Sequence, residues 1–380
     1  MRAGFLGSPE EEPVAVLFGL LAGAVRLVDE GVASRADVDT AVRLGLGWPA
    51  GPLELVDEIG PAAALEILTA LHERTGRRAY APPPLLRRVV AAGLPRVPDE
   101  PAPVIGPDVP VRAVQRVGVV GTGTMATGIA ACTAAAGLPT VIVGRTPERA
   151  AAAAERAHAE LVAAHDVAAL AGCDVVVEAV AEDLAVKRGV FAALDAACRP
   201  GAVLATTTSS LAVIDCAAAT ARPRDVIGLH FFNPATSMPL VELVGTLRSA
   251  PDALATGRAL VRRLGKTAVA CPDRAGFLVN RLLFPFLCDA LATVERGAIE
   301  PAALDRALRG GLGIPMGPLR LLDLIGFDVV LAGQQSLLRE FGDPELAPPA
   351  LLTALVAEGV LGVKSGHGIA RSLTRQPAVT

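Results

Sequence analysis

Three side chains in the middle of the chain have the types needed to move a proton. Ser209 lies in "TTTSSLAVI" (206–214), His230 in "GLHFFNP" (228–234), and Glu242 in "MPLVELV" (238–244). The first two follow runs rich in β-branched residues that read as strands, and in an open α/β sheet ligands gather at the carboxyl ends of strands. An imidazole exchanges a proton near neutral pH. A hydroxyl, an imidazole and an acid twelve residues further on are together the parts for moving a proton. A lone histidine is more often structural; the neighbours of His230 and its place at a strand end favour chemistry.

A nucleotide loop precedes them. "VGVVGTGTMATGIA" (117–130) places Gly121, Gly123 and Ala126 in the pattern G-x-G-x-x-G/A. A strand comes before and a helix after, so the backbone can approach a pyrophosphate lying on the helix N-terminus. The second strand of such a unit ordinarily ends in an acid that holds the ribose 2′-OH of NAD. Here it ends "VIVGRTPER", with Gly144 in the acid's place, then Arg145 and, one turn on, Arg149. Loss of the carboxylate removes repulsion against a 2′-phosphate, and arginine matches phosphate oxygens. The cofactor is therefore NAD or NADP, with the residues leaning to NADP.

The elements that must position these groups alternate. "RVGVV" (116–120), "TVIVG" (140–144), "DVVVEAV" (174–180), "AVLATT" (202–207) and "DVIGLHFF" (225–232) read as strands. Ala-rich stretches at 147–165 and 182–198 read as helices. That alternation argues for a parallel sheet with helices on both faces. After about residue 275 and before residue 94 the pattern is helical, and the Pro-rich segment 94–113 reads as a linker. The expected domains are 1–93, helical; 114–273, dinucleotide-binding; and 274–380, helical.

The bulk composition excludes other classes. The chain has 380 residues, 52% hydrophobic and 19% charged, with a net charge of −4. It carries no basic run of the kind that tracks a phosphate backbone, so nucleic acid is not an expected partner. Six cysteines and five histidines show no metal-ligand spacing, and no metal is expected. Reduced, scattered thiols fit a cytoplasmic protein. The apolar stretch 13–28 is interrupted by Arg26 and follows three glutamates, which points to a buried helix rather than a signal or a membrane span.

The two helical ends repeat each other. "GWPAGPLELVDEIG" (47–60) matches "GIPMGPLRLLDLIG" (313–326) at a shift of 266 positions, and Gly31, Asp39, Arg43 and Gly93 fall on Gly297, Asp305, Arg309 and Gly359. The pentapeptide "RAGFL" also occurs twice, at 2–6 and 274–278, at a shift of 272. A gap-free match of this length marks an internal duplication of a helical domain.

The ordered motifs resemble the 3-hydroxyacyl-CoA dehydrogenase family. They are G-x-G-x-M at 121–125, "EAVAEDLAVK" (178–187), "TSSL" (208–211), "HFFNP" (230–234), "PLVE" (239–242), "GFLVNR" (276–281) and "KSGHG" (364–368). The resemblance implies a Rossmann-type α/β domain and two all-α domains of the 6-phosphogluconate-dehydrogenase C-terminal type. It implies oxidation of a short-chain (3S)-3-hydroxyacyl-CoA to the 3-oxoacyl-CoA, or the reverse. His230 would be the general base, Glu242 its orienting partner, and Ser209 and Asn280 would hold the reacting oxygen and the acyl group. Gly121, Gly123, Thr124, Met125, Gly144, Arg145, Glu182, Lys187, Thr207 and Asn233 would border the cofactor.

The sequence departs from the family at Ala126, Gly144, Thr207 and "GHGIA", which touches cofactor and substrate rather than catalytic groups. It leaves open a free hydroxy acid or carrier-protein thioester as substrate, and a catalytically silent NADP-binding protein. The first helical copy lacks the asparagine: "RAGFL" is followed by "GSP" there and by "VNR" in the second copy. It is expected to stand in for a dimer partner, giving a monomer with an internal pseudo-dimer; a homodimer is the alternative.

Overall fold

The computed structural model describes residues 12–99, 109–157 and 162–369. The chain divides into two compact units, Met1–Ala102 with Leu278–Thr380, and Pro103–Phe277. The two helical ends, expected as separate domains, therefore share one unit.

The first end of that unit has helices α1 (Glu12–Asp29), α2 (Arg35–Leu46), α3 (Pro52–Ile59), α4 (Pro61–Thr75) and α5 (Pro84–Ala91). Helix α1 is buried on almost its whole surface, which explains an apolar sequence all round. Among the described residues no single helix is long and apolar enough to cross a membrane.

The α/β unit runs β1 (Val117–Val120), α6 (Thr124–Ala135), β2 (Thr140–Val143), α7 (Pro147–Arg156), β3 (Val162–Ala164), β4 (Val175–Glu178), α8 (Leu184–Ala197), β5 (Val203–Thr206), α9 (Val213–Ala217), β6 (Val226–Phe231), β7 (Leu240–Gly245), α10 (Pro251–Arg263) and β8 (Thr267–Pro272). Its eight strands lie in the order β3-β2-β1-β4-β5-β6-β7-β8. All neighbours are parallel except β6 and β7, which pair antiparallel. Strands β1, β2, β4, β5, β6 and nearly all of β7 are buried, as expected when helices cover both faces.

Two expectations change. The Ala-rich stretch 147–165 is not one helix: α7 stops at Arg156, and 162–164 adds the edge strand β3, Val141 pairing with Val162. Alanine's helix preference is a weak prior that sheet pairing overrides. Strands β7 and β8 had no counterpart among the strands read from the sequence. The motif holding Glu242 is itself a strand.

The second helical end has α11 (Val279–Glu295), α12 (Pro301–Leu312), α13 (Pro318–Ile325), α14 (Phe327–Phe341) and α15 (Ala350–Ala357). The bounds of α12–α15 equal those of α2–α5 displaced by 266 positions. Individual constraints recur at the same displacement. Asp39 accepts the Leu53 N–H at 2.7 Å, and Asp305 that of Leu319 at 2.9 Å. Asp29 accepts from Leu85 N–H at 3.0 Å, and Glu295 from Leu351 N–H at 2.9 Å. Gly51 and Gly317 each press on their aspartate so closely that a Cβ would meet it within 2.3 Å.

Helix α1 packs along α11. A Cβ on Gly47 would lie 3.5 Å from Pro315, and one on Gly313 would lie 3.7 Å from Pro49. Such reciprocal contacts, i on j and the equivalent of j on the equivalent of i, characterise a two-fold interface. The match at 2–6 lies outside the described residues. Along α1 and α11 the displacement is 266, and Val14, buried, stands at the position of Asn280.

Candidate active site

Strands β1, β4, β5 and β6 run in the same direction, so their carboxyl ends form one edge. The glycine loop leaves β1, the acidic segment 178–183 leaves β4, the segment 207–210 leaves β5, and His230 sits one residue before the end of β6.

His230 is placed by register. In the antiparallel β6–β7 ladder it stands directly opposite Glu242. Paired residues on one face are close enough for their side chains to meet, and Nδ1 lies 2.6 Å from Glu242 Oε2. The histidine is 6% exposed and the glutamate 0%. The rings of Phe232 and Phe277 flank the imidazole, with centroids 4.8 and 5.5 Å away. Phe277 has φ of 46°, a left-handed conformation costly for an aromatic residue, and follows Gly276 at 72°. Neither phenylalanine was singled out in the sequence; only the fold brings them to the ring.

Ser209 belongs to a loop built around Glu182. Glu182 Oε1 accepts from Thr208 Oγ1 at 2.6 Å, from the Ser209 and Ser210 N–H groups at 2.8 and 3.0 Å, and from Ser210 Oγ at 3.1 Å. Burial acts to raise its pKa. The Lys187 ammonium and these donors outweigh that and hold it below the ordinary carboxylate range.

Lys187 lies behind the loop, 1% exposed. Its ammonium is 2.8 Å from Glu178 Oε1 and 3.3 Å from Glu182 Oε2. Glu178, 0% exposed, also accepts from Thr206 Oγ1 and the Val180 N–H, each at 2.7 Å. Lys187, expected to border the cofactor, has its ammonium paired with the buried Glu178 and with the partly exposed Glu182. Glu178 and Thr208 were not singled out in the sequence; an acid closing an apolar strand, in "DVVVEAV", was the available signal.

The glycine loop fits a dinucleotide. Gly121 has φ of +130°, and a Cβ there would lie 2.4 Å from the Ala179 carbonyl oxygen. Gly123 caps α6, and a Cβ there would enter open space, where a ligand's phosphate can approach the free N–H groups. Thr124 and Met125 open α6. Ala126, fully buried, lies close to Gly121: a Cβ on Gly121 would lie 3.2 Å from its Cβ.

At the end of β2 a Cβ on Gly144 would lie 2.8 Å from Thr122 Cγ2 and 2.9 Å from the Ala150 nitrogen. An acid does not fit there without backbone movement. Arg145 is exposed. Thr207 donates its N–H to the Glu178 carbonyl, and Asn233 is exposed just beyond β6. Asn280 opens α11 in the helical unit and is 8% exposed. All six cysteines are free thiols, and the described residues hold no cluster of metal-ligating side chains.

A phosphate-receiving loop and a carboxylate-held imidazole on one edge of the sheet are the working parts of a dinucleotide-dependent dehydrogenase. The family models agree. The 3-hydroxyacyl-CoA dehydrogenase NAD-binding domain matches residues 116–164 and 154–274. The C-terminal domain of the same family matches twice, at 14–100 and 276–372. The chain belongs to the 3-hydroxyacyl-CoA dehydrogenase family.

A 3-hydroxybutyryl-CoA dehydrogenase of Mycobacterium tuberculosis is 42% identical over 279 residues, covering 67% of this chain and 98% of that protein. The crystal structure of M. tuberculosis FadB2 superimposes with a TM-score of 0.65 at 41% identity, over 68% of this chain and 98% of that one. The (S)-3-hydroxybutyryl-CoA dehydrogenase of Ralstonia eutropha gives 0.65 at 33% identity, over 67% and 98%.

Proposed function

We propose that the chain interconverts a short-chain (3S)-3-hydroxyacyl-CoA and the 3-oxoacyl-CoA with a nicotinamide cofactor. The observation that carries this reading is the 2.6 Å His230–Glu242 pair at the carboxyl edge of the sheet. When bound, the nicotinamide exchanges a hydride with C3 of the acyl group. His230 Nε2 takes the proton from the 3-hydroxyl, or returns it in the reverse direction. Glu242 fixes the tautomer through Nδ1 and stabilises the imidazolium. Ser209, on the loop organised by Glu182, donates to the reacting oxygen, and Lys187 supports that loop from behind. Phe232 and Phe277 keep water from the imidazole.

The test is reduction of acetoacetyl-CoA by the whole chain and by His230→Ala. The native protein turns over and the variant does not; equal turnover by both refutes the assignment.

NADP is favoured over NAD by the crowded Gly144 and the exposed guanidinium of Arg145 beside it. Parallel assays with NADH and NADPH decide, and a clear NADH preference refutes it.

A further inference from the structure

Helices α2–α5 and α12–α15 have matching bounds at the 266-position displacement and the two repeats meet through reciprocal contacts, yet the charges across their interface are not two-fold. Arg77 Nη2 lies 2.6 Å from Asp289, and Glu30 lies 2.7 Å from Arg281 Nη2. Arg78 faces Asp343 at 3.6 Å, and Glu12 faces Arg296 at 3.4 Å. Glu345 accepts the Ala79 N–H at 2.9 Å. Asp289 and Arg281 are largely buried, with 16% and 17% of their side chains exposed.

The 266-position displacement shows what each repeat would meet in a copy of itself. Arg77 corresponds to Asp343, and Glu30 to Arg296. Were the second repeat paired with a second copy of itself, Asp289 would face an Asp343 and Arg281 an Arg296. Two-fold symmetry would make each like-charge contact occur twice. Were the first repeat paired with its own copy, Arg77 would face Gly23 and Glu30 would face Ala15, leaving the charges without partners. Only the mixed pairing satisfies them. Like charges placed opposite each other suppress wrong partners more strongly than matched charges reward right ones.

We propose that this asymmetric charge arrangement directs the two repeats to pair with each other and closes the α11 face to a second copy of the chain. The occupant of that face is the first repeat of the same chain. The repeat without the asparagine thus completes an interface that the second repeat cannot complete with itself.

The test uses the full chain. Light scattering of the native protein gives the mass of one chain, 38.8 kDa. Arg77→Asp and Asp289→Arg each create a like-charge contact and lower the melting temperature by about 5 °C or more. The double variant, with the charges exchanged, recovers at least half of the loss. Arg281→Glu with Glu30→Arg gives a second such cycle should either Asp289 or Arg77 variant fail to fold.

Arg77→Asp combined with Asp343→Arg and Arg296→Glu disfavours the mixed pairing and makes the second repeat self-complementary. Its mass rises with concentration towards two chains. A native dimer through α11, an exchanged pair no more stable than the worse single variant, or a folded triple variant that stays monomeric at every concentration overturns the proposal.

Discussion

Replacing Glu242 with glutamine removes one charge and almost no volume. The carboxylate is 0% exposed, and its Oε2 sits 2.6 Å from His230 Nδ1. In the proposed mechanism Nε2 accepts the substrate proton, and the imidazolium then directs its second N–H at this carboxylate, away from water. A charge-assisted bond is about twice as strong as a neutral one. Leaving a buried charge without its partner costs about 3–5 kcal/mol. That cost falls on the state in which the imidazole is protonated and not on the ground state. It converts to a loss of about 10²- to 10⁴-fold in kcat for oxidation of 3-hydroxybutyryl-CoA.

The glutamine amide can also donate to Nδ1, which places the ring proton on Nε2 and disables it as a base. Steady-state kinetics with varied substrate separate the effects, since KM moves by less than about threefold when only the transition state is touched. Titration of the reduced cofactor, followed by its fluorescence, checks that binding survives. A variant that keeps more than about a tenth of kcat, or loses rate only through KM, refutes the reasoning.

Glu182→Ala removes the acceptor that gathers Thr208, Ser209 and Ser210 and strands Lys187 with Glu178 alone; kcat/KM should fall about tenfold or more with the fold intact by circular dichroism. Gly121→Ala forces a methyl group against the Ala179 carbonyl, 2.4 Å from where it would sit, so cofactor binding measured by calorimetry should be lost and the melting temperature lowered. Asp39 supplies a pH test. Burial, the largest influence, outweighs its backbone hydrogen bonds and raises its pKa from 3.8 to about 6. The folded state therefore holds the proton more tightly than the unfolded state. This stabilisation is complete below pH 3.8 and is lost as the pH rises through about 6. Asp39→Asn keeps an acceptor for Leu53 and cannot ionise. Its stability to urea should rise relative to the native protein across that window, reaching about 3 kcal/mol at neutral pH; parallel stability–pH curves for the two proteins would count against it.

Strands β1, β2, β4, β5 and β6 were legible because each is a short, buried, apolar run. The edge strand β3 was not, because Val162–Ala164 has no strand character of its own and is defined by its partner Val141–Val143. The expectation for Lys187 shows a related limit. The resemblance places it beside the cofactor, and its burial against Glu178 is a contact that no spacing in the sequence gives.

The sequence by itself showed the glycine loop, the internal repeat and the candidate side chains for moving a proton, since these depend on residue type and local spacing. Twelve positions separate His230 from Glu242, and nothing in that number says that they touch. The reversal of β7 against β6 does, because an antiparallel ladder fixes which residues stand opposite. Likewise the sequence shows two similar helical segments, while only their packing shows which charges face each other. Register and interface charge pairing are properties of two segments at once, and tertiary structure alone decides them.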